Sequence, residues 1–189
     1  MKPTVTAVLD ACVLYQAQLR DLFVELAYRK VILARWTAEI HREWIENLLS
    51  NRPDLDREKL ERTRTLMDRV KSSLVGGHLD LVPSLVLPDL ADRHVLAAAI
   101  VGRAEVIVTF NLVDFPRSIL INHGVEAQHP DDFLLNILVA HEAAFLATTK
   151  VVRERLRNPP KTVEEYLSTL EAQGLARTVA RLRRFADLI

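Results

Sequence analysis

Short β-prone apolar runs alternate with helix-period segments over about the first 130 residues, and this alternation limits the fold more than any other feature of the chain. The runs are residues 5–9, 31–33, 78–82, 105–110 and 124–127. Between them, Leu14, Leu19, Leu22, Phe23 and Leu26 recur mostly at helical spacing, as do Ile40, Trp44 and Leu48 after Thr37. A highly charged segment, 54–74, keeps Leu60, Met67, Val70 and Leu74 on one side, and Pro88-Asp89 opens an alanine-rich helix through Leu96, Ala99 and Ile100. Strands joined through helices need crossover connections, so the pattern predicts an α/β fold: a central, mainly parallel sheet flanked by helices. Such sheets bind ligands at the carboxyl ends of their strands.

From Pro130 onward the strand signals stop. Residues 131–157 read as one long helical stretch, which Asn158-Pro159-Pro160 breaks. Thr162 and Glu165 then have the spacing of a capping box that starts a second helical segment, interrupted at Gly174 before 175–189 continue it. The predicted organisation is a domain over 1–130 and a C-terminal helical extension over 131–189.

Composition removes several function classes. The 25 Lys and Arg balance 25 Asp and Glu, a net charge of zero that disfavours a polybasic nucleic-acid coat. With one cysteine, Cys12, no intramolecular disulfide is available, and no Cys/His pair has zinc-ligand spacing. The first ten residues lack a signal-peptide pattern, and no run approaches the ~18 apolar residues of a membrane helix, so a soluble cytoplasmic protein without a membrane role is expected. Five glycines form neither a dinucleotide nor a Walker loop, and there is no G-x-S-x-G elbow.

What remains is a set of carboxylates. Asp10 ends the first strand, and Asn111 and Asp114 follow the strand ending near Phe110. Asp89 and Asp92 fall in the first turn of the helix opening at Pro88, and Glu39 and Glu43 lie one turn apart after Thr37. Acids in a first helical turn also serve the helix dipole, so for Asp89 and Asp92 the residues alone leave capping and metal binding both open, and for Glu39 and Glu43 they leave open a solvated helix charge and a metal ligand. If the first and fourth strands are neighbours, the acids converge at one sheet edge, and their repulsion calls for a hard divalent cation, Mg²⁺ or Mn²⁺. Cys12 reads as a small buried hydrophobe and His94 as a helix-surface residue.

Four segments together carry a resemblance: 8–14 (VLDACVL), 37–44 (TAEIHREW), 87–99 (LPDLADRHVLAAA) and 108–116 (VTFNLVDFP). In order and spacing they resemble the PIN-domain family, and within it the bacterial VapC-like toxin branch, over about residues 4–130. Phosphatases of the haloacid dehalogenase type share the strand-Asp start but carry a second Asp where this chain has Cys12. The PIN resemblance implies a Mg²⁺- or Mn²⁺-dependent endoribonuclease. Asp10, Glu43 and Asp92 match the family's first three acids, with Glu43 preferred over Glu39 because it lies six positions after Thr37. The fourth position holds Asn111, and Asp114 three residues on is the candidate to replace it as a metal ligand. Asn111 would orient the attacking water, and Thr109 would position a carboxylate or water by hydrogen bond. The resemblance also implies an RNA substrate, a cognate antitoxin and a homodimer. Two alternatives are a catalytically weak PIN-type RNA-binding or regulatory module, which Asn111 would explain, and a small-molecule phosphohydrolase.

The zero net charge divides unevenly. Residues 150–189 hold nine basic against five acidic side chains, and 1–149 hold 16 against 20. The expectation is an acidic catalytic-type domain beside a basic helical arm.

Overall fold

The structure, a computed structural model, describes residues 4–189. Its centre is a four-stranded sheet, with β1 (Thr6–Leu9), β2 (Leu33–Arg35), β3 (Val106–Val108) and β4 (Glu126–Gln128) in the order β2-β1-β3-β4 and every pairing parallel. All four residues of β1 are buried, as expected for a central parallel strand covered on both faces. The register sets Val8 beside both Arg35 and Ile107, so the chain leaves β1 at Asp10 next to the exit from β3 at Thr109. The α/β architecture with flanking helices follows the alternation in the sequence.

The helices of the first part are α1 (Ala11–Tyr15), α2 (Ala17–Tyr28), α3 (Ala38–Asn51), α4 (Arg57–Met67), α5 (Arg93–Val101) and α6 (Arg117–Leu120). Thr37 caps α3 by accepting the Ile40 N–H at 3.1 Å. Trp36, Trp44, Phe23 and the leucines of α2 fill the core. His41 is fully buried: its Nδ1 accepts from Trp44 Nε1 at 2.9 Å, leaving Nε2–H to donate to Asp68 at 3.0 Å. Trp36 donates to the same Asp68 oxygen at 2.9 Å, so one carboxylate ties the end of α4 to β2 and α3.

Four local expectations are corrected. Residues 79–84 form a 3₁₀ turn, not a strand, since Pro83 has no N–H for a ladder and Ser84 Oγ closes the turn on the Leu81 carbonyl at 2.8 Å. The second strand begins at Leu33 because Val31 still completes the end of α2, its N–H bonding the Leu26 carbonyl at 2.9 Å. The helix after Pro88 starts only at Arg93, because Asp89 accepts the Ala91 N–H at 2.8 Å and holds a turn there. The long helix over 131–157 is two helices, α7 (Pro130–Ala140) and α8 (Glu142–Glu154), bent by 120° at His141, whose φ of −135° is not helical. A straight helix of that length would run about 40 Å, longer than a small domain is wide. The bend lets Leu134 and Leu138 on one arm and Phe145 on the other all become buried.

The remaining helices are α9 (Val163–Ala172) and α10 (Ala176–Leu182), and the capping box at Thr162 and Glu165 forms as its spacing predicts. Gly174 separates them at φ +95°, a conformation that favours glycine. This helical region is fastened to the first part at several points. Phe133 stacks on Phe23, Gln173 accepts the Leu19 N–H at 3.0 Å, and buried Glu25 receives Arg155 at 2.6 Å as well as Arg29 at 2.7 Å. Within it, Asp131 accepts the N–H groups of Arg177 and Thr178 at 2.8 and 2.7 Å, capping α10. Among the described residues no single helix is long and apolar enough to cross a membrane.

Candidate metal centre

Asp10 is placed by the strand that precedes it and held by three donors. Its Oδ1 accepts the Ala11 N–H at 2.6 Å, and its Oδ2 accepts Thr109 Oγ1 at 2.6 Å and Cys12 Sγ at 3.1 Å. Thr109, fully buried at the end of β3, thus locks the carboxylate across the β1–β3 seam. Thr109 Oγ1 also accepts the Asn111 N–H at 2.9 Å, so the same hydroxyl shapes the loop after β3. Burial, reinforced by Asp10, pushes the Cys12 thiol up to about 12, which keeps it a neutral donor and removes it as a nucleophile.

Three further acids meet beside Asp10. Carboxylate oxygens of Asp89, Asp92 and Asp114 all lie within 4.8 Å of one another. Asp92 occupies the N-cap of α5 yet makes no capping hydrogen bond, so its carboxylate is free to face the others. Burial, then the charges of Asp10, Asp89 and Asp114, push its carboxyl up to about 6. Asn111 sits in the same loop and its amide donates to Asp114 Oδ2.

Of the residues singled out in the sequence, Asp92 and Asp114 are in this cluster, with Asp10 next to Asp92. Glu43 is set apart: it contacts Nε2 of His94 at 2.8 Å. His94 is a correction, since it is buried against Glu43 and not a surface residue. Burial opposes its charge, but Glu43, with Asp10 and Asp92 behind it, outweighs burial and raises its pKa. Glu39 pairs in the same way with buried His78 at 3.2 Å. Asp89, for which the residues alone left capping and metal binding open, is the acid that the PIN resemblance did not include among the metal ligands. Its signal was the three-residue spacing to Asp92 on a turn that points both side chains the same way.

The donor set is all oxygen, and burial, together with repulsion from Asp10, Asp89 and Asp114, is what raises the Asp92 carboxyl. That chemistry suits a hard divalent cation, whose charge would relieve the repulsion.

A parallel sheet that offers clustered carboxylates at the carboxyl ends of its central strands defines an α/β protein with a cation-suited acidic edge. The chain belongs to the PIN-domain family, whose profile matches residues 6–112, and a second profile, described as the VapC50 C-terminal domain, matches residues 130–184. It is 44% identical over 108 residues to a Mycobacterium tuberculosis protein named "Putative ribonuclease VapC50". That match covers 57% of this chain and 63% of the relative. No solved structure matches the chain at comparable stringency.

Proposed function

We propose that the protein is a Mg²⁺- or Mn²⁺-dependent endoribonuclease, the toxin of a toxin–antitoxin pair. The observation that carries this reading is the group of Asp89, Asp92 and Asp114 oxygens within 4.8 Å, beside an Asp10 fixed by Thr109. Asp10, Asp92 and Asp114 would hold the cation, with Asp89 at its rim and Glu43 reaching it from beside His94. When bound, such an ion lowers the pKa of a coordinated water and offsets the charge that develops on the phosphate. The protein's own part is geometric. Thr109 fixes the rotamer of Asp10, and Asn111, anchored on Thr109 and Asp114, orients the attacking water. The substrate is RNA, the partner an antitoxin encoded beside the gene, the assembly a homodimer and the compartment the cytoplasm. The domain division at about residue 130 follows the change from sheet to helices.

The test is cleavage of single-stranded RNA with Mn²⁺, by wild type and by Asp10→Asn. Cleavage that disappears in EDTA and in the variant supports the reading, and full activity in either case refutes it. Calorimetric titration with Mn²⁺ separates the silent PIN module: a protein that folds but takes up no Mn²⁺ at millimolar concentration is a binding module, not a nuclease.

A further inference from the structure

Away from the acids, a groove of about 380 Å³ runs between the end of α2, the outer edge of β2 and the loop after α4. Lys30, Arg35, Arg69 and Lys71 line it, and no Asp or Glu does. Among the described residues none of these four cations forms an ion pair, whereas Arg29 and Arg155 nearby are both taken by Glu25. Burial lowers the pKa of Arg35 with no carboxylate offsetting it. The rim carries Tyr28, 70% exposed, and Leu33, 37% exposed.

The backbone adds an independent observation. Among the described residues, three non-glycine residues have positive φ, and two of them, Lys30 at 58° and Ser72 at 64°, line this groove. Lys30 occupies the position after α2 where the chain closes on itself, with its N–H on the Ala27 carbonyl and the Val31 N–H on the Leu26 carbonyl. Glycine is favoured there, so a lysine is held at a conformational cost. That cost sets a cation at the mouth of the groove.

We propose that this groove binds the backbone of single-stranded RNA, as an extension of the substrate track that starts at the acidic edge. The inference rests on the nuclease reading given above. Unpaired cations beside an exposed aromatic ring match phosphates with a base stacked between them. An acidic protein segment would use the cations but has no use for the ring. The distance is short enough for one strand: Arg35 pairs with Val8, two residues before Asp10, so their backbones are about 8 Å apart at ~3.3 Å per residue and ~4.8 Å between strands.

The experiment measures binding of a fluorescent single-stranded RNA oligonucleotide to the full chain carrying Asp10→Asn, in Mg²⁺, across a salt series. Adding Lys30→Gly, Arg69→Ser and Lys71→Ser is expected to weaken binding at least tenfold and to flatten the salt slope by about 2, at roughly 0.7 per phosphate contact. Tyr28→Ala alone is expected to weaken it at least fivefold. Lys30→Gly relieves the positive φ, so a thermal melt no lower than the parent's shows that the loss is not unfolding. Lys59→Ser, Arg62→Ser and Arg184→Ser together, which remove equal charge elsewhere, should leave affinity within twofold. Unchanged RNA affinity in the groove variants overturns the proposal, even where wild type cleaves RNA and the nuclease reading stands. RNA binding lost in those variants supports it, even where wild type fails to cleave. Displacement of RNA from the groove by polyglutamate at lower concentration than by an unlabelled oligonucleotide also overturns it.

Discussion

The acidic edge and the helical tail handle charge in opposite ways. At the edge, Asp10, Asp89, Asp92 and Asp114 lie together and among the described residues no Lys or Arg pairs with any of them. In the tail, the excess of nine basic over five acidic residues is largely consumed: Arg155 reaches Glu25, Arg177 pairs with Asp132, Arg181 with Glu142, and Arg183 with both Glu164 and Glu171. A count of charges therefore misplaces the positive field. The tail is basic by composition, but five of its nine cations are tied up in ion pairs, whereas all four cations that line the β2-edge groove are unpaired among the described residues. Repulsion left standing at one place and removed at another marks where a ligand is needed and where it is not.

The contrast can be tested from its strongest element down. Asp10→Asn should reduce Mn²⁺-dependent cleavage at least about 100-fold, because several kcal/mol of charge stabilisation depend on the cation and each 1.36 kcal/mol is tenfold in rate. Glu25→Ala, which leaves Arg29 and Arg155 without their shared buried carboxylate, should cost about 2 kcal/mol by urea unfolding. That figure is below the usual value for breaking a buried pair because Arg155 is itself exposed to water. A loss no greater than that of an exposed pair would mean the tail is fastened by its apolar contacts and the Gln173–Leu19 hydrogen bond without help from Glu25.

Smaller effects follow from Asp92. Its carboxyl is raised in the fold to about 6 against roughly 3.9 when unfolded, so between about pH 4 and pH 6 the folded chain binds more protons than the unfolded one. Stability of the metal-free protein should therefore fall as pH rises through that window and stay lower above it. Asp92→Asn should gain about 1 kcal/mol on wild type between pH 4 and pH 7 in EDTA, after allowance for partial exposure, and addition of Mn²⁺ at pH 7 should reverse the order of the two. Smallest of all, Arg183→Ser should leave RNA affinity unchanged, since its charge is already matched by Glu164 and Glu171. A weakened complex would make the tail an RNA arm after all.

Much of this was legible in the sequence because it depends on local chemistry. The parallel sheet follows from the alternation, and the Thr162 cap from a four-residue pattern. A positioning role for Thr109 came only from the PIN resemblance, and its hydrogen bond to Asp10 spans 99 residues that neighbouring strands bring together. The rest depends on packing across long separations. The bend at His141 carries no Gly or Pro, and it exists because both arms have apolar residues to bury. His94 looks like a surface residue beside Asp92, and only the approach of α3 gives it Glu43. The basic groove joins residues 28–35 to 69–73, which no spacing rule connects.

Gly174 gives the timing of assembly a direction. A side chain there would begin 2.9 Å from the ring of Phe110, the residue between Thr109 and Asn111. The wall behind the acidic edge is therefore supplied by a stretch synthesised after both of the strands that carry the acids. A nascent chain that has already paired β1 with β3 holds its carboxylates without that backing, and the site acquires it only once the residues around Gly174 have folded onto Phe110.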